Sequence, residues 1–262
     1  VPMHPLRLAR EIDTFMGRED DIVVADGGDT QVWMGMTRTV RMGGHYFDSG
    51  LYGCLAVGIP FANAAKLRHP ESRVLLVIGD GSVGFNFMEF HTAIRKGLPI
   101  VVVVANDQSW GMIAHSQTLR MGHCIADGTC LGPVDYHRMV EALGGFGLAV
   151  ERPSAIRPAL EAAFASGKTA CINVMVDPTV ISPGSVALAN LGGYRAAFRH
   201  AEDYDLWLRA ARVSQITSLP DRLLLYRRSI QQISQKYAIP QAKAAAIAWL
   251  DYEHTGNGQP SL

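Results

Sequence analysis

Four uninterrupted apolar runs mark the chain before its last quarter, and each predicts a buried strand. They lie in "DIVVADGGD", "RVLLVIGDG", "LPIVVVVANDQ" and "ACINVMVDP". Because apolar and polar residues do not alternate in them, they are typical of strands covered on both faces, as in a parallel sheet. Between the third and fourth runs, apolar residues recur at helical spacing in "DYHRMVEALG" and "SAIRPALEAAFASG". The order of strands and helices predicts a doubly wound, mostly parallel α/β sheet with helices on both faces.

Further helices are predicted in the first hundred residues. Apolar spacing predicts one from Pro5 to about Phe15. The small and apolar residues of "SGLYGCLAVGIPFANAAKLR" are typical of a tightly packed helix that ends near "HPES". A third helix is expected to begin around Phe85, after the Gly-Asp-Gly turn.

The composition changes after "ALANLGGY". The segments "RAAFRHAEDYDLWLRAARVSQ" and "SIQQISQKYAIPQAKAAAIAWLDYEH" are charged, rich in Ala and Gln, and mostly helical in their spacing. The final "TGNGQPSL" is typical of a disordered end. We therefore predict two domains, 1–192 and 193–262, the second a mainly helical tail.

Charge and composition exclude several classes of function. Lys and Arg together number 24, as do Asp and Glu, so no net field favours nucleic acid or an anionic membrane surface. No apolar run approaches the roughly 20 residues of a membrane helix. The start has neither Met nor a signal-peptide layout, which indicates a cut inside a longer polypeptide. Cys54 and Cys171 lie in apolar segments and are expected to be buried thiols in a reducing, cytoplasmic compartment.

One acidic residue follows each of two neighbouring predicted strands. Asp80 ends the first in "GDG", and Asp107 ends the next in "AND". In doubly wound sheets ligands bind beyond the carboxyl ends of the strands, and two close carboxylates repel unless a cation lies between them. A hard divalent ion that also takes water and phosphate oxygens fits this pattern. The alternative is a plain turn at Asp80 and a helix cap at Asp107.

Here the sequence resembles a known family. "GDGSVGF" followed by "ND" is similar to the thiamine diphosphate signature, in which Gly-Asp-Gly precedes Asn-Asn. Four more segments resemble the C-terminal, diphosphate-binding domain of acetolactate synthase-like enzymes: "HPLRLAREI", "GLYGCLAVGIPFANAAKL", "MEFHTAIRKGLPIVVVVAND" and "INVMVDPTVISPGSVALANLGGY". 2-Hydroxyacyl-CoA lyases and benzaldehyde-lyase-type carboligases are equally similar. The resemblance covers about residues 1–194. It implies thiamine diphosphate, Mg²⁺ and C–C bond making or breaking next to a carbonyl, on 2-keto acid or 2-hydroxyacyl substrates.

The resemblance implies three Mg²⁺ ligands in this chain. Asp80 and Asp107 would bind through their side chains, and Ser109 would bind through its backbone carbonyl. The family usually has Asn at the position of Asp107. The carboxylate adds a negative charge beside the diphosphate, which a neighbouring cation would have to compensate.

A larger set is implied to contact the cofactor itself. Gly81 and Ser82 would contact the diphosphate, and "GGDTQVW" matches the family's other phosphate-side loop. Leu55 takes the place of the bulky residue that holds the cofactor in a V shape, with core packing as the alternative, and the Gly53 carbonyl would accept from the aminopyrimidine. Trp110 either lines the site or packs the loop. The complete implied set is Gly28, Asp29, Thr30, Gly53, Leu55, Gly81, Ser82, Gly111 and Met112.

The family's catalytic glutamate lies in a separate pyrimidine-binding domain, which no segment of this chain matches. The resemblance therefore implies no catalytic residue in this chain. It implies that a pyrimidine-binding domain or subunit acts in trans and that the chain is inactive alone. It also implies self-association of the parent enzyme. Pyruvate-decarboxylase-like relatives carry a proton-relay glutamate where this chain has Ile113, which favours the carboligase or lyase branch.

The tail, from about residue 193 to 255, resembles the C-terminal end of family-2 glycosyltransferases. "GGYRAAFRHAEDYDLWLRAA" and "SLPDRLLLYRRSIQQIS" carry this resemblance, with Glu202 and Asp203 as the acidic pair and Ser229 where the family has His. The nucleotide-sugar-binding half has no match, so a solvated helix is the alternative interpretation. Two hypotheses thus stand beside the cofactor domain: a glycosyltransferase fragment, and a decayed or chimeric domain.

Overall fold

The structure, a computed structural model, describes residues 3–50, 53–190, 205, 208 and 209. The chain divides into two compact units, Val1–Val186 and Ala187–Leu262. Residues 205, 208 and 209 are helical. The predicted boundary near Gly192 and most of the predicted helical tail lie outside the described residues and stay predictions.

A parallel sheet forms the centre of the first unit. Within the described residues its six strands lie in the order β2-β1-β3-β4-β6-β5, and all neighbours pair in parallel. The predicted doubly wound α/β fold is therefore confirmed. The strands are β1 (Ile22–Asp26), β2 (Tyr46–Phe47), β3 (Val74–Gly79), β4 (Val101–Asn106), β5 (Phe146–Val150) and β6 (Ala170–Met175).

The described helices connect these strands. They are α1 (Pro5–Phe15), α2 (Asp29–Thr37), α3 (Gly58–Arg68), α4 (Asp80–Phe85), α5 (Glu89–Arg95), α6 (Gly111–Met121), α7 (Ala126–Thr129), α8 (Tyr136–Ala142), α9 (Ile156–Ala165) and α10 (Pro183–Asn190). The predicted α1 is confirmed. Its first residue, Pro5, suits a helix start, and Leu8 and Ile12 recur on the side that is buried.

The two faces of the sheet carry separate apolar cores. Along β3, Leu75 and Val77 pack on the side of α1, α2 and α9, whereas Leu76 and Ile78 pack on the side of α3, α5 and α8. Both sets are buried because successive side chains of a strand point to opposite faces. This arrangement explains why the strand sequences are apolar at every position.

The strand order places the candidate residues together at the carboxyl ends of neighbouring strands. From β1 the chain moves outward to β2, and it then returns past β1 to form β3 and β4. The direction of winding thus reverses between β1 and β3, and doubly wound sheets bind ligands at such a switch point. The loops after β1, β3 and β4 all open there.

Two predicted helix boundaries are wrong. The helix expected over "SGLYGCLAVGIPFANAAKLR" begins only at Gly58, because Gly53 and Ala56 have positive φ angles of 58° and 75°. The helix expected around Phe85 begins at Asp80, directly after β3. In both places the backbone conformation next to the cleft differs from the one that residue spacing alone predicts.

The cysteine prediction is half right: Cys171 is buried, whereas Cys54 is exposed. None of the helices in the described residues has the length and apolar character needed to cross a membrane.

Candidate functional site

A cleft of about 400 Å³ lies at the carboxyl ends of β1, β3 and β4. The structure brings every cofactor and metal candidate of the sequence analysis to its walls, although they come from four separate parts of the chain. The candidates lining it are Gly28, Asp29, Thr30, Gly53, Leu55, Asp80, Gly81, Ser82, Asp107, Ser109, Gly111 and Met112. Trp110 and Ile113 line it as well.

Asp80 lies at the floor of the cleft and is buried, with 3 % of its surface exposed. Its Oδ1 accepts a hydrogen bond from the Gly81 amide at 2.9 Å. Its Oδ2 is buried and has no hydrogen-bond partner among the described residues. Burial, and then the charge of Asp107, raise the pKa of Asp80 to about 8. Two acidic side chains this close either share a proton or hold a cation between them.

Asp107 faces Asp80 from a tight turn after β4. Its Oδ1 accepts from the Ser109 amide at 3.0 Å. Burial raises the pKa of Asp107, against the opposing effects of a hydrogen bond with Asp80 and of the one from the Ser109 amide. In the parallel register Gly79 pairs with Ala105, so the two strands end side by side and their acidic residues meet.

Asn106 holds this turn and was missed by sequence reasoning. Its Oδ1 accepts from the Gln108 amide at 3.0 Å, and its Nδ2 donates to Asn173 Oδ1 at 3.1 Å and to the Val134 carbonyl at 3.2 Å. The turn is also tied to the chain after α7, because the Leu131 amide donates to the Gln108 carbonyl at 2.8 Å. The asparagine beside Asp107 was the available signal, but its partners are far away in the sequence.

Gln108 has a left-handed backbone, with φ of 59°. We expect Gln108→Gly to raise the free energy of unfolding by about 0.5–1 kcal/mol, because a residue with a Cβ is strained in this conformation. Chemical denaturation of the full chain measures the change. Gln108→Ala is the matched control, because it shortens the side chain and keeps the Cβ. A glycine variant no more stable than the alanine variant would contradict the prediction.

The donor set at the floor of the cleft fits a hard divalent ion. Asp80 and Asp107 offer carboxylate oxygens, and Ser109 offers a carbonyl on the same turn. The described residues contain no group of three or more His, Cys, Asp or Glu side chains able to hold a metal ion. A metal here would therefore take its remaining ligands from water or from phosphate, as Mg²⁺ commonly does.

The side chain of Ser82 is committed to a structural role. Its hydroxyl donates to Asp26 Oδ1 at 2.7 Å and accepts from the Ala56 amide at 3.0 Å. Asp26 Oδ2 in turn accepts from the Gly58 amide at 2.7 Å. A contact between Ser82 and a diphosphate would thus come from its main chain. Asp26 was missed by sequence reasoning, although an acidic residue at the end of the apolar run "DIVVAD" was visible.

The Asp26–Ser82 pair holds the loop that carries Gly53 and Leu55. Leu55 is 37 % exposed and lines the cleft, so it is not a core residue. Asn86 also holds this loop, because its Nδ2 donates to the Ala56 carbonyl at 3.0 Å. The loop therefore presents an apolar side chain to the cleft from a fixed backbone.

The opposite wall is built by the start of α6. Trp110 packs against Phe85, with the ring centroids 5.7 Å apart. A Cβ at Gly81 would lie 2.6 Å from the Trp110 ring, so only glycine allows this approach. Gly28 likewise lies too close to the Met112 side chain to carry a Cβ, and Gly111 lies too close to the Asp107 carboxylate. Trp110 therefore both lines the site and packs the loop.

Asp29 begins α2 and is tied to distant segments. Its Oδ2 lies 2.7 Å from His115 Nδ1, and its Oδ1 accepts from Ser182 Oγ at 2.6 Å and Ser185 Oγ at 2.8 Å. Burial alone would raise the pKa of Asp29, but the hydrogen bonds from His115, Ser182 and Ser185 outweigh it and lower that pKa. The sequence analysis places Asp29 and Thr30 in a phosphate-side loop, and the contacts of Asp29 with His115, Ser182 and Ser185 come only from the structure.

The predicted glycosyltransferase-like residues, Glu202, Asp203 and Ser229, lie outside the described residues. Among the described residues nearby, Arg209 pairs with Asp205 at 2.8 Å within one helical turn.

Comparison with known proteins agrees with the geometry of the cleft. Residues 26–174 match the family "Thiamine pyrophosphate enzyme, C-terminal TPP binding domain". The chain is 39 % identical over 189 residues to a probable acetolactate synthase of Mycobacterium bovis, covering 72 % of this chain and 34 % of that protein. It is 34 % identical over 191 residues to 2-hydroxyacyl-CoA lyase 2 of Danio rerio, covering 71 % and 30 %. The chain thus spans about a third of the length of the curated relatives that it matches.

Proposed function

This chain belongs to the thiamine pyrophosphate enzymes, as their C-terminal TPP-binding domain, and on that premise we propose how its cleft holds the cofactor. Asp80 and Asp107 bind Mg²⁺ through their carboxylates, and Ser109 binds it through its carbonyl. The observation that carries this assignment is the buried, unpartnered Oδ2 of Asp80 beside a second buried carboxyl group. A cation that bridges to a diphosphate removes this deficit.

The remaining walls of the cleft suit the rest of the cofactor. The main chain of Gly81 and Ser82 and the loop of Gly28, Asp29 and Thr30 line the cleft with the two carboxylates and would hold the diphosphate. Leu55 would support the cofactor, and the Gly53 carbonyl would accept from the aminopyrimidine. Gly111 and Met112 would contact the cofactor. These roles follow from family membership and from the position of each residue on the cleft.

The bound cofactor supplies the electron sink for making or breaking a C–C bond next to a carbonyl. This chain anchors the diphosphate, orients the cofactor and shields one side of it from water. The parent enzyme acts on 2-keto acid or 2-hydroxyacyl substrates, as the names of the relatives suggest. Ile113, which is 52 % exposed and lines the cleft, presents an apolar surface and no proton-transfer group to the reacting centre.

Catalysis requires a pyrimidine-binding domain, either in a separate subunit in trans or in another part of the parent chain. The relatives are about three times as long as the matched segment, and the catalytic glutamate of the family belongs to the pyrimidine-binding domain. The parent enzyme is expected to be a homo-oligomer that works in the cytoplasm.

Calorimetry of the full chain tests the proposal. We expect thiamine diphosphate to bind in the presence of Mg²⁺ and not in the presence of a chelator. Thiamine without phosphates is the matched ligand control, because it keeps both rings and loses the metal-binding group. Binding that is equally strong with chelator, or equally strong for thiamine, would contradict the metal-bridged diphosphate.

A further inference from the structure

The cleft has an unusual charge balance for a site that receives an anion. Three carboxyl groups line it, those of Asp29, Asp80 and Asp107, and no Lys or Arg among the described residues does so. A diphosphate brought to these walls meets like charge on two sides. Mg²⁺ between Asp80 and Asp107 relieves one side of this repulsion. Asp29 needs a separate cation.

His115 is the candidate for that cation. A cavity of about 40 Å³ adjoins the cleft and shares Asp29 and Asp107 with it. His115 lines this cavity, and among the described residues on the walls of cleft and cavity it is the one side chain that can carry positive charge. Besides Asp29 and Asp107, the cavity wall has one further acidic group, the side chain of Asp177.

The hydrogen bonds of His115 show which form the ring takes. Nδ1 lies 2.7 Å from Asp29 Oδ2, and Nε2 lies 2.8 Å from the carbonyl of Pro178. A carbonyl only accepts, so Nε2 must carry a hydrogen. Asp29 already accepts from Ser182 and Ser185, which favours its ionised form, so Nδ1 must donate as well. A ring that donates from both nitrogens is an imidazolium.

We propose that His115 is a positioning residue for the diphosphate-binding loop: held as an imidazolium between Asp29 and Pro178, it cancels the charge of Asp29 and fixes the start of α2. This inference rests on the proposed cofactor role of the cleft. The imidazolium also acts on Asp107, whose pKa its charge lowers, although the burial of Asp107 remains the larger effect. The chain thereby gains a compensating cation without placing a lysine or arginine in the cleft.

The direction of the His115 pKa agrees with this role. The hydrogen bond to Asp29 raises the pKa, outweighing burial, and the Pro178 carbonyl and the charges of Asp29 and Asp107 add to the increase. Since the folded-state pKa exceeds the unfolded one, the stabilisation is complete below the ordinary histidine value of about 6.5 and is lost as the pH rises through the folded-state pKa.

The protonation state is measured on the full chain without cofactor. Long-range ¹H–¹⁵N spectra of histidine-labelled protein at pH 7 should show both His115 nitrogens at protonated positions, with His115→Gln providing the assignment. Asp29→Asn should move His115 to a neutral form. A neutral His115 in the wild-type chain would overturn the proposal, whatever the cofactor does.

The charge-cancelling role is measured with a double-mutant cycle. We expect His115→Gln to weaken thiamine diphosphate binding with Mg²⁺ about 10- to 100-fold, as loss of a supporting partner commonly does. The double variant His115→Gln/Asp29→Asn should recover most of the affinity, because it removes both charges together. Ser182→Ala, which removes a donor to Asp29 and no charge, should change affinity far less. A double variant no better than His115→Gln would show a purely structural role and would overturn the proposal.

The same cycle works without cofactor binding, so failure of the proposed function can be told apart from failure of this inference. His115→Gln leaves a partly buried carboxylate without its cation and should lower the unfolding temperature by roughly 5 °C or more. The double variant should recover part of that loss. If the wild-type chain binds no thiamine diphosphate and this recovery is present, the pair is confirmed as an ion pair and its positioning role is excluded.

Discussion

Replacing Asp80 by Asn is expected to abolish Mg²⁺-dependent thiamine diphosphate binding while making the cofactor-free chain more stable. The binding loss should be at least about 100-fold, since loss of mere supporting partners of metal ligands costs 10- to 100-fold. The gain in stability should be about 1 kcal/mol, because an asparagine amide N–H can donate to Asp107 without the cost of keeping a buried carboxyl group protonated.

The pKa of Asp80 supports the second half of this prediction. Burial, followed by the charge of Asp107, raises it to about 8. Since the folded-state value lies above the unfolded one, the folded chain keeps Asp80 protonated where the unfolded chain releases the proton, so stability falls as the pH rises from about 4 to neutrality. The asparagine variant does not ionise and avoids this cost.

Calorimetry and thermal unfolding of the full chain measure the two halves separately. A gain of about 1 kcal/mol should raise the unfolding temperature by roughly 2–4 °C. Asp20→Asn is the matched control, because Asp20 is exposed and lies outside the cleft. An Asp80→Asn chain that binds the cofactor as tightly as wild type would remove the metal assignment. One that is less stable than wild type would show that Asp80 has a stabilising partner in the cofactor-free chain.

Asp26→Ala is expected to have the largest effect on stability. The Asp26 side chain is fully buried and accepts from the Gly58 amide and from Ser82 Oγ, both at 2.7 Å. Gly58 is the first residue of α3, so the carboxylate also lies at the positive end of that helix. Removing it leaves two buried donors without an acceptor, at a cost of about 3 kcal/mol.

The same variant should weaken cofactor binding. Asp26 accepts a hydrogen bond from the Ser82 hydroxyl, which itself accepts one from the Ala56 amide on the loop that carries Leu55, so the loop loses part of its support. Thermal unfolding should show a decrease of roughly 10 °C. Asp26→Asn keeps one acceptor and no charge, and its loss should be about half as large. Equal stability of the alanine and wild-type chains would mean that the two donors find other partners.

Asp26 and Asp80 differ in where the partners of their carboxyl oxygens come from. Asp26 has its donors within the fold and therefore contributes to stability. Asp80 Oδ2 accepts no hydrogen bond within the described fold, and the group needs either a proton shared with Asp107 or a bound cation. Opposite effects of neutralising two buried aspartates at the ends of adjacent strands, Asp26 at the end of β1 and Asp80 directly after β3, would separate a structural carboxylate from a ligand-binding one.

Part of the fold could be predicted from the sequence because burial on both faces requires apolar residues at every position of a strand. Four of the six described strands were predicted in this way. β2, which has two residues, and β5, whose residues are only partly buried, carry too weak a pattern. The helix start at Gly58 was missed because the positive φ angles of Gly53 and Ala56 delay it. The start at Asp80 was missed because "GDG" was interpreted as a turn.

Part of the candidate site could be predicted for a similar reason. Asp80 and Asp107 follow apolar runs directly, so local sequence places each at the mouth of a strand. His115 lies in a helix with no such marker, and its partner Asp29 is 86 positions earlier. Ser182, the other partner of Asp29, is 153 positions away from it. No local pattern identifies such contacts.

The sequence by itself thus determined the class of fold, the family and the acidic residues at two strand ends, because each of these is written in consecutive residues. Only the tertiary structure decided which partners those residues have. The strand order β2-β1-β3-β4-β6-β5 joins the ends of β1, β3 and β4 in one cleft and brings His115 and Ser182 to Asp29. The physical reason is that hydrogen bonds and charges act over a few ångströms in space, whatever the distance along the chain.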